Sequence, residues 1–163
     1  MIIEVIGAFI ATFGFGIIFN IKDKNLYFAA VCGALGWFVY KLSLSFGLKD
    51  TTSLFLASVS LSLYSEIFAR VLKTPVTTFI IAALIPLVPG GGMYYTMVEA
   101  ITGDIMKSLE IGINTLTSAG VLALGVILVS TITKTIMSNI NKKIKFQWIK
   151  ATIISNNIIV ARS

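Results

Sequence analysis

Histidine is missing from this chain, and its 163 residues include a single cysteine, Cys32. Without histidine, Ser-His and Cys-His catalysis and the usual zinc sites are excluded. One cysteine cannot form an intramolecular disulfide, and its position deep in an apolar run reads as a small packing residue. Charge is also scarce: 12% of residues are Asp, Glu, Lys or Arg, while 56% are hydrophobic. A soluble domain carries about 25% charged residues. Half that share cannot cover a water-facing surface, so the composition is that of an integral membrane protein. No GxxxxGK[ST] sequence occurs, which excludes ATP binding by that motif. Proline is confined to Pro75, Pro86 and Pro89, and two of the three interrupt a stretch where regularity should matter most.

What is present is a series of apolar runs. A spanning helix needs about 20 mostly apolar residues. The first run is Ile2–Phe19, closed by "NIKDKN"; Glu4 stands where a signal peptide needs positive charge, so this run reads as a retained span. The second extends from Leu26 to about Leu44, and the third from Ser53 to Leu72, before "KTP". A last run covers about Ile111 to Ile132, and a basic remainder follows. Between them lies Pro75–Met106, too long for one straight span and too short for two.

The net charge of +6 does not point to nucleic acid, because the basic residues sit in loops and a tail between hydrophobic runs. Their distribution arbitrates the crossing number. With one crossing by Pro75–Met106, one side collects Lys22, Lys24, Arg70, Lys73, Lys134 and the tail lysines, and the other keeps Lys41, Lys49 and Lys107. With two crossings that bias nearly vanishes. The positive-inside rule therefore predicts about five spans, N-terminus outside and C-terminus cytoplasmic. The fold class expected is an all-α polytopic transmembrane bundle with its fourth span discontinuous at Pro86–Gly92. Residues 1–138 form its membrane domain and 139–163 a basic juxtamembrane tail. In that tail Ile140, Ile144 and Trp148 alternate with lysines, as in a segment lying on anionic lipid or a solvated end.

The interruption reads "LIPLVPGGGMYYTM". Pro86 cannot donate to Ala82, nor Pro89 to Ile85. The restarting helix should leave N–H groups unpaired near Gly91, Gly92 and Met93. In hydrocarbon each such group costs several kcal/mol, so the break must be buried in protein or line a wet cavity. Its N–H groups suit a carboxylate, and the freed carbonyls suit an ammonium group or a cation. Transporters build midplane sites this way, whereas a buried proline kink is the plainer alternative.

This motif, the following Gly103–Asp104, and the upstream "GAFIATFGFGIIFN", "GALGW" and "SEIFARVLKTPVT" resemble the threonine/serine exporter family over about Gly7 to Lys134. In length the chain is similar to the short, split-subunit form. The resemblance implies a bacterial inner-membrane protein that works with a second, larger membrane subunit. It implies export of small amino acids such as threonine and serine, or of succinate as in some split members. The sequence after Ile140 departs from the family pattern.

Other polar groups within the spans follow by position. Glu66 and Arg70 are spaced to pair along one helix, with Ser58, Ser62 and Ser65 on the same face. They read either as a proton or ammonium partner or as a snorkelling pair beside close-packed serines. Asp104 ranks above Glu99 as a charge partner, against a solvated helix end for either. Tyr94 and Tyr95 either cover a cavity or anchor at an interface. Asn114, Thr115, Thr117 and Ser118 make a possible cavity wall, and the spacings Gly7/Ala11, Thr12/Gly16 and Cys32/Gly36 permit close helix packing.

The functional expectation is a secondary exporter subunit. Substrate is held at Pro86, Pro89, Gly90, Gly91, Gly92, Tyr94 and Tyr95, with Glu66, Arg70 and Asp104 as charge partners. No catalytic residue, metal or cofactor is expected, and "TGD" lacks the flanking glycine of intramembrane aspartyl proteases. A non-transporting scaffold for a partner transporter, or a channel, are the alternatives.

Overall fold

The computed structural model describes the backbone of residues 1–160 and the side chains of residues 1–138. Every apolar run folds as a helix, and among the described residues there is no strand. The order is α1 (Ile2–Ile18), α2 (Lys24–Ser45), α3 (Asp50–Val71), α4 (Thr77–Leu84), a 3₁₀ turn (Ile85–Leu87), α5 (Gly90–Thr102) and α6 (Ile105–Val160). Helices are forced here because a bilayer offers no hydrogen-bond partner to an unpaired backbone.

Three stretches are long and apolar enough to cross a membrane: α2, α3 and Ile105–Ser138 of α6. The pair Thr77–Leu87 and Gly90–Thr102 passes jointly as a fourth, bent by 51° at its break. Taken singly, its members of 11 and 13 residues would reach only about 16 and 20 Å at 1.5 Å per residue, against a core of about 30 Å. The expected first span is the short one: α1 has 17 residues, or about 25 Å.

Four helix ends close by one device. Asn20, Gly47, Lys73 and Gly103 take positive φ after α1, α2, α3 and α5. The N–H of the next residue then reaches back five positions: Ile21 to Gly16, Leu48 to Ser43, Thr74 to Ala69 and Asp104 to Glu99. This satisfies carbonyls that a helix end leaves open. Lys73 adopts the left-handed conformation without glycine's freedom, at a cost of about 1 kcal/mol.

Met1–Val129 is one compact unit, and a second begins at Ser130. Within the first, α2 is the hub, packing on α1, α3 and α4. Small residues make this possible. A Cβ on Gly33 would collide with the Thr12 side chain of α1. A Cβ on Gly36 would sit 3.1 Å from Leu87 Cδ1 and 3.2 Å from Leu61 Cδ2. Cys32, Leu54, Ala57, Leu61, Ala83, Leu87 and Leu122 form the main core, with a second cluster at Ala29, Ala69, Phe79 and Ala82. The small-residue pairs Thr12/Gly16 and Cys32/Gly36 are buried as expected, but Gly7 and Ala11 lie exposed. Nothing would meet a Cβ on Gly7 within 4 Å, so Gly7 marks no close helix approach among the described residues.

The expected change of character after residue 138 is not marked by a helix end, since α6 continues to Val160. The side-chain pattern proposed for Ile140, Ile144 and Trp148 lies outside the described residues.

Candidate functional site

The interruption has a defined geometry. Pro86 sits at the start of the 3₁₀ turn, Val88 is extended (φ −62°, ψ 130°), and Pro89 has φ −75° and ψ 56°. These last angles are those of an inverse γ-turn, closed by the Gly90 N–H donating to Val88 O at 2.7 Å. Val88 N–H donates to Leu84 O at 3.0 Å and to Ile85 O at 3.3 Å. The Ile85 carbonyl expected to be free is therefore used. Met93 N–H, also expected to be orphaned, donates to Pro89 O at 3.2 Å. Gly91 and Gly92 remain: no side chain caps α5, and their N–H groups find no partner among the described residues.

One flank of the break is anchored, and the other is open. Leu87 is buried in the core beside Gly36 and Leu61. Pro86, Pro89 and Gly92 are half-buried, while Gly90, Gly91, Tyr94 and Tyr95 are exposed. Nothing would meet a Cβ on Gly90 or Gly91 within 4 Å. The expectation of an enclosed break is thus not met by this chain alone. The tyrosine rings meet edge to face, centroids 5.3 Å apart, and point outward at 63% and 57% exposure.

α5 buries no residue at all. It forms a hairpin with α6, drawn together by small side chains. A Cβ on Gly92 would collide with Thr115, and one on Gly112 would lie 3.2 Å from Thr96 Cγ2. Ser108 Oγ donates to Thr96 O at 2.8 Å, and Lys107 Nζ pairs with Glu99 at 2.6 Å. Just past the glycines, Met93, Met97, Thr115 and Leu116 line an apolar groove of about 300 Å³. Of the expected polar wall, Thr115 is in this groove; Thr115, Thr117 and Ser118 donate back to carbonyls four residues earlier, and Asn114 is exposed. Sequence reasoning missed the hairpin, although Gly92/Thr96 and Ser108/Gly112 have the small-residue spacing that signals it.

Gly103 and Asp104 punctuate the hairpin. Gly103 has φ 99°, and Asp104 Oδ1 accepts the Lys107 N–H at 3.0 Å, as an N-cap does. Asp104 is exposed.

The serines and Glu66 on the polar face of α3 are inside, and Arg70 reaches out from it. Glu66 Oε2 accepts from Arg70 Nη2 at 2.7 Å, with the Glu66 side chain 5% exposed and that of Arg70 38%. Thr12, Ser53, Ser58, Ser62 and Ser65 are each 0% exposed. Four of these hydroxyls donate to a carbonyl three or four residues back, but Ser62 Oγ has no partner among the described residues. Cys32 is more than filler, since its Sγ lies 3.4 Å from Leu61 O and 3.3 Å from Ser65 Oγ. Among the described residues, no hydrogen bond or ion pair joins Glu66–Arg70 to the break, or either of them to Asp104. Nor do three Cys, Asp or Glu side chains gather as a metal site would require.

The geometry is therefore a broken membrane helix with free amide donors, a buried ion pair on a neighbouring helix, and no catalytic set among the described residues. The family model described as Threonine/Serine exporter, ThrE, matches residues 4–132, from the first turn of α1 into α6. No solved structure matches the chain. A match over so much of the sequence shows the family, one of membrane transport proteins: the chain belongs to the threonine/serine exporter family.

Proposed function

We propose that this chain is one subunit of a secondary exporter that moves threonine, serine or a small carboxylate such as succinate out through the bacterial inner membrane. Its N-terminus lies outside and its C-terminus in the cytoplasm, the arrangement favoured by the lysine and arginine distribution. A second, larger membrane subunit completes the transport path.

The observation that carries this reading is the unpaired N–H of Gly91 and of Gly92 at the start of a helix that buries nothing. In hydrocarbon these donors must be met by water, ligand or another chain. A substrate carboxylate at this helix start satisfies them and gains from the helix dipole. Tyr94 and Tyr95 stand one turn further and close the site over substrate. Pro86, Pro89 and Gly90 hold the break open. Glu66 with Arg70 serves as the charge partner that couples transport to the proton gradient, and Asp104 fixes the outer end of α6.

Gly91→Leu is a clean test, because nothing lies within 4 Å of where its Cβ would be. Threonine and succinate efflux would be followed in exporter-deficient cells expressing this chain with its partner subunit. Efflux that depends on both subunits and disappears with Gly91→Leu at unchanged protein level is the expected result. Unimpaired efflux by Gly91→Leu moves the site elsewhere and favours the scaffold role, for which an open, unburied α5 also offers a surface.

A further inference from the structure

A second cleft of about 550 Å³ lies away from the break, where the end of α1, the α1–α2 loop and the first turn of α2 face the start of α4. Its polar lining is Asn20, Lys22, Asn25, Thr77 and Thr78. Lys22 is the only ionisable group in that lining, and no carboxylate joins it. Asn20 and Asp23, on either side of Lys22, both hold positive φ, at 57° and 56°. The first closes α1 and the second precedes α2, so both belong to the tight loop that carries Lys22. Phe19 and Ile81 supply an apolar wall. An apolar wall with a few convergent polar groups is how small-molecule sites are built, and the volume lies in their usual range.

We infer that this cleft binds a small carboxylate bearing further hydrogen-bonding groups, and that it is the loading site from which the chain takes up its cargo. Lys22 meets the carboxylate. The amides of Asn20 and Asn25 and the hydroxyls of Thr77 and Thr78 meet an ammonium or hydroxyl group, since each offers an acceptor as well as a donor. Phe19 and Ile81 face the short apolar part. The cleft holds Lys22, and Lys24 and Lys73 stand close to its two segments in the sequence, on the side that the exporter reading makes cytoplasmic, which is where export must begin; the inference rests on that reading for its direction. α4 links the cleft to the break: Thr77 and Thr78 open the helix, and the 3₁₀ turn with Pro86 follows its end. Eight residues of helix separate the two by about 12 Å.

The test is equilibrium binding of radiolabelled L-threonine and, separately, succinate to the purified full-length chain in detergent and in nanodiscs. Lys22→Met should weaken binding by about tenfold or more, as loss of a charge-assisted contact does. Lys24→Met, which removes an equal charge outside the lining, should leave affinity within about twofold. L-threoninamide, which lacks the carboxylate, should fail to compete. Three results overturn the inference: no binding of either carboxylate at millimolar concentration, equal binding by Lys22→Met, or equal competition by the amide. Displacement by anionic phospholipid in the nanodisc also overturns it and assigns the cleft to a lipid phosphate. Efflux separates the two readings. Efflux by the two-subunit system that is unchanged in Lys22→Met sinks the cleft and leaves the exporter standing. Lys22-dependent binding without any wild-type efflux does the reverse.

Discussion

The helices α2 and α5 are both apolar and both glycine-containing, yet they have opposite fates. α2 buries Ala29, Ala30, Cys32, Gly33 and Gly36 against three neighbours, whereas α5 buries no residue. In α2 the glycines are there for contact, because a Cβ on Gly33 or Gly36 runs into Thr12, Leu61 or Leu87. In α5 a Cβ on two of three, Gly90 and Gly91, would meet nothing within 4 Å among the described residues, and one on Gly92 would collide with Thr115. Glycine costs about 1 kcal/mol in a helix relative to alanine. A core position recovers that through packing. Gly90 and Gly91 recover nothing within this chain, which fits a helix start kept bare for an incoming group.

The comparison is sharpest where equal substitutions meet unequal surroundings. Gly33→Leu should destabilise the chain by about 3 kcal/mol or more, through overpacking against Thr12, read as a lower melting temperature in detergent. Gly91→Leu should leave that temperature unchanged, so an equal drop would break the contrast. Gly92→Leu should fall between, costing about 2 kcal/mol, and Thr115→Gly in the same chain should recover most of it; a double variant no better than the single would dismiss the Gly92–Thr115 contact.

Arg70→Met should cost about 2 kcal/mol, because it strands a buried carboxylate, while Glu66→Gln should cost about 1 kcal/mol or less, leaving Arg70 partly in solvent. The reverse order in thermal melts would contradict the burial of Glu66. The smallest effect has the opposite sign. Ser62→Ala should be neutral or stabilising by about 1 kcal/mol, since its buried hydroxyl has no partner among the described residues. Ser65→Ala, by contrast, should cost about 1 kcal/mol, as its hydroxyl bonds Leu61 O and Cys32. A clear loss of stability in Ser62→Ala would mean that something satisfies Ser62 in the membrane.

Much of this was legible in the sequence, for stated reasons. Length and apolarity located the helices, because hydrocarbon demands both. "PLVPGGG" located the break, because proline removes a donor wherever it stands. The i, i+4 spacing found Glu66–Arg70. Which apolar face meets protein was not legible. Gly7/Ala11 and Thr12/Gly16 share a spacing, yet the first pair is exposed and the second buried. In a bilayer, lipid-facing and core-facing positions are equally greasy, so hydropathy does not separate them. The Lys22 cleft was hidden for another reason: its lining comes from two segments more than fifty residues apart, and neither carries a motif.

The joint between the core and α5 also has a kinematic consequence. Pro86 and Pro89 lock φ at their positions, and Val88, preceding a proline, is confined to extended conformations. Between buried Leu87 and the first turn of α5, the soft torsions are ψ of Pro89 and the pair at Gly90. Any swing of α5 against the bundle therefore turns about a few adjacent bonds, as a door does on its pin. The Gly90 N–H bond to Val88 O and the contact of Gly92 with Thr115 of α6 are the two latches on that door, so Tyr94 and Tyr95 move only as far as these give way.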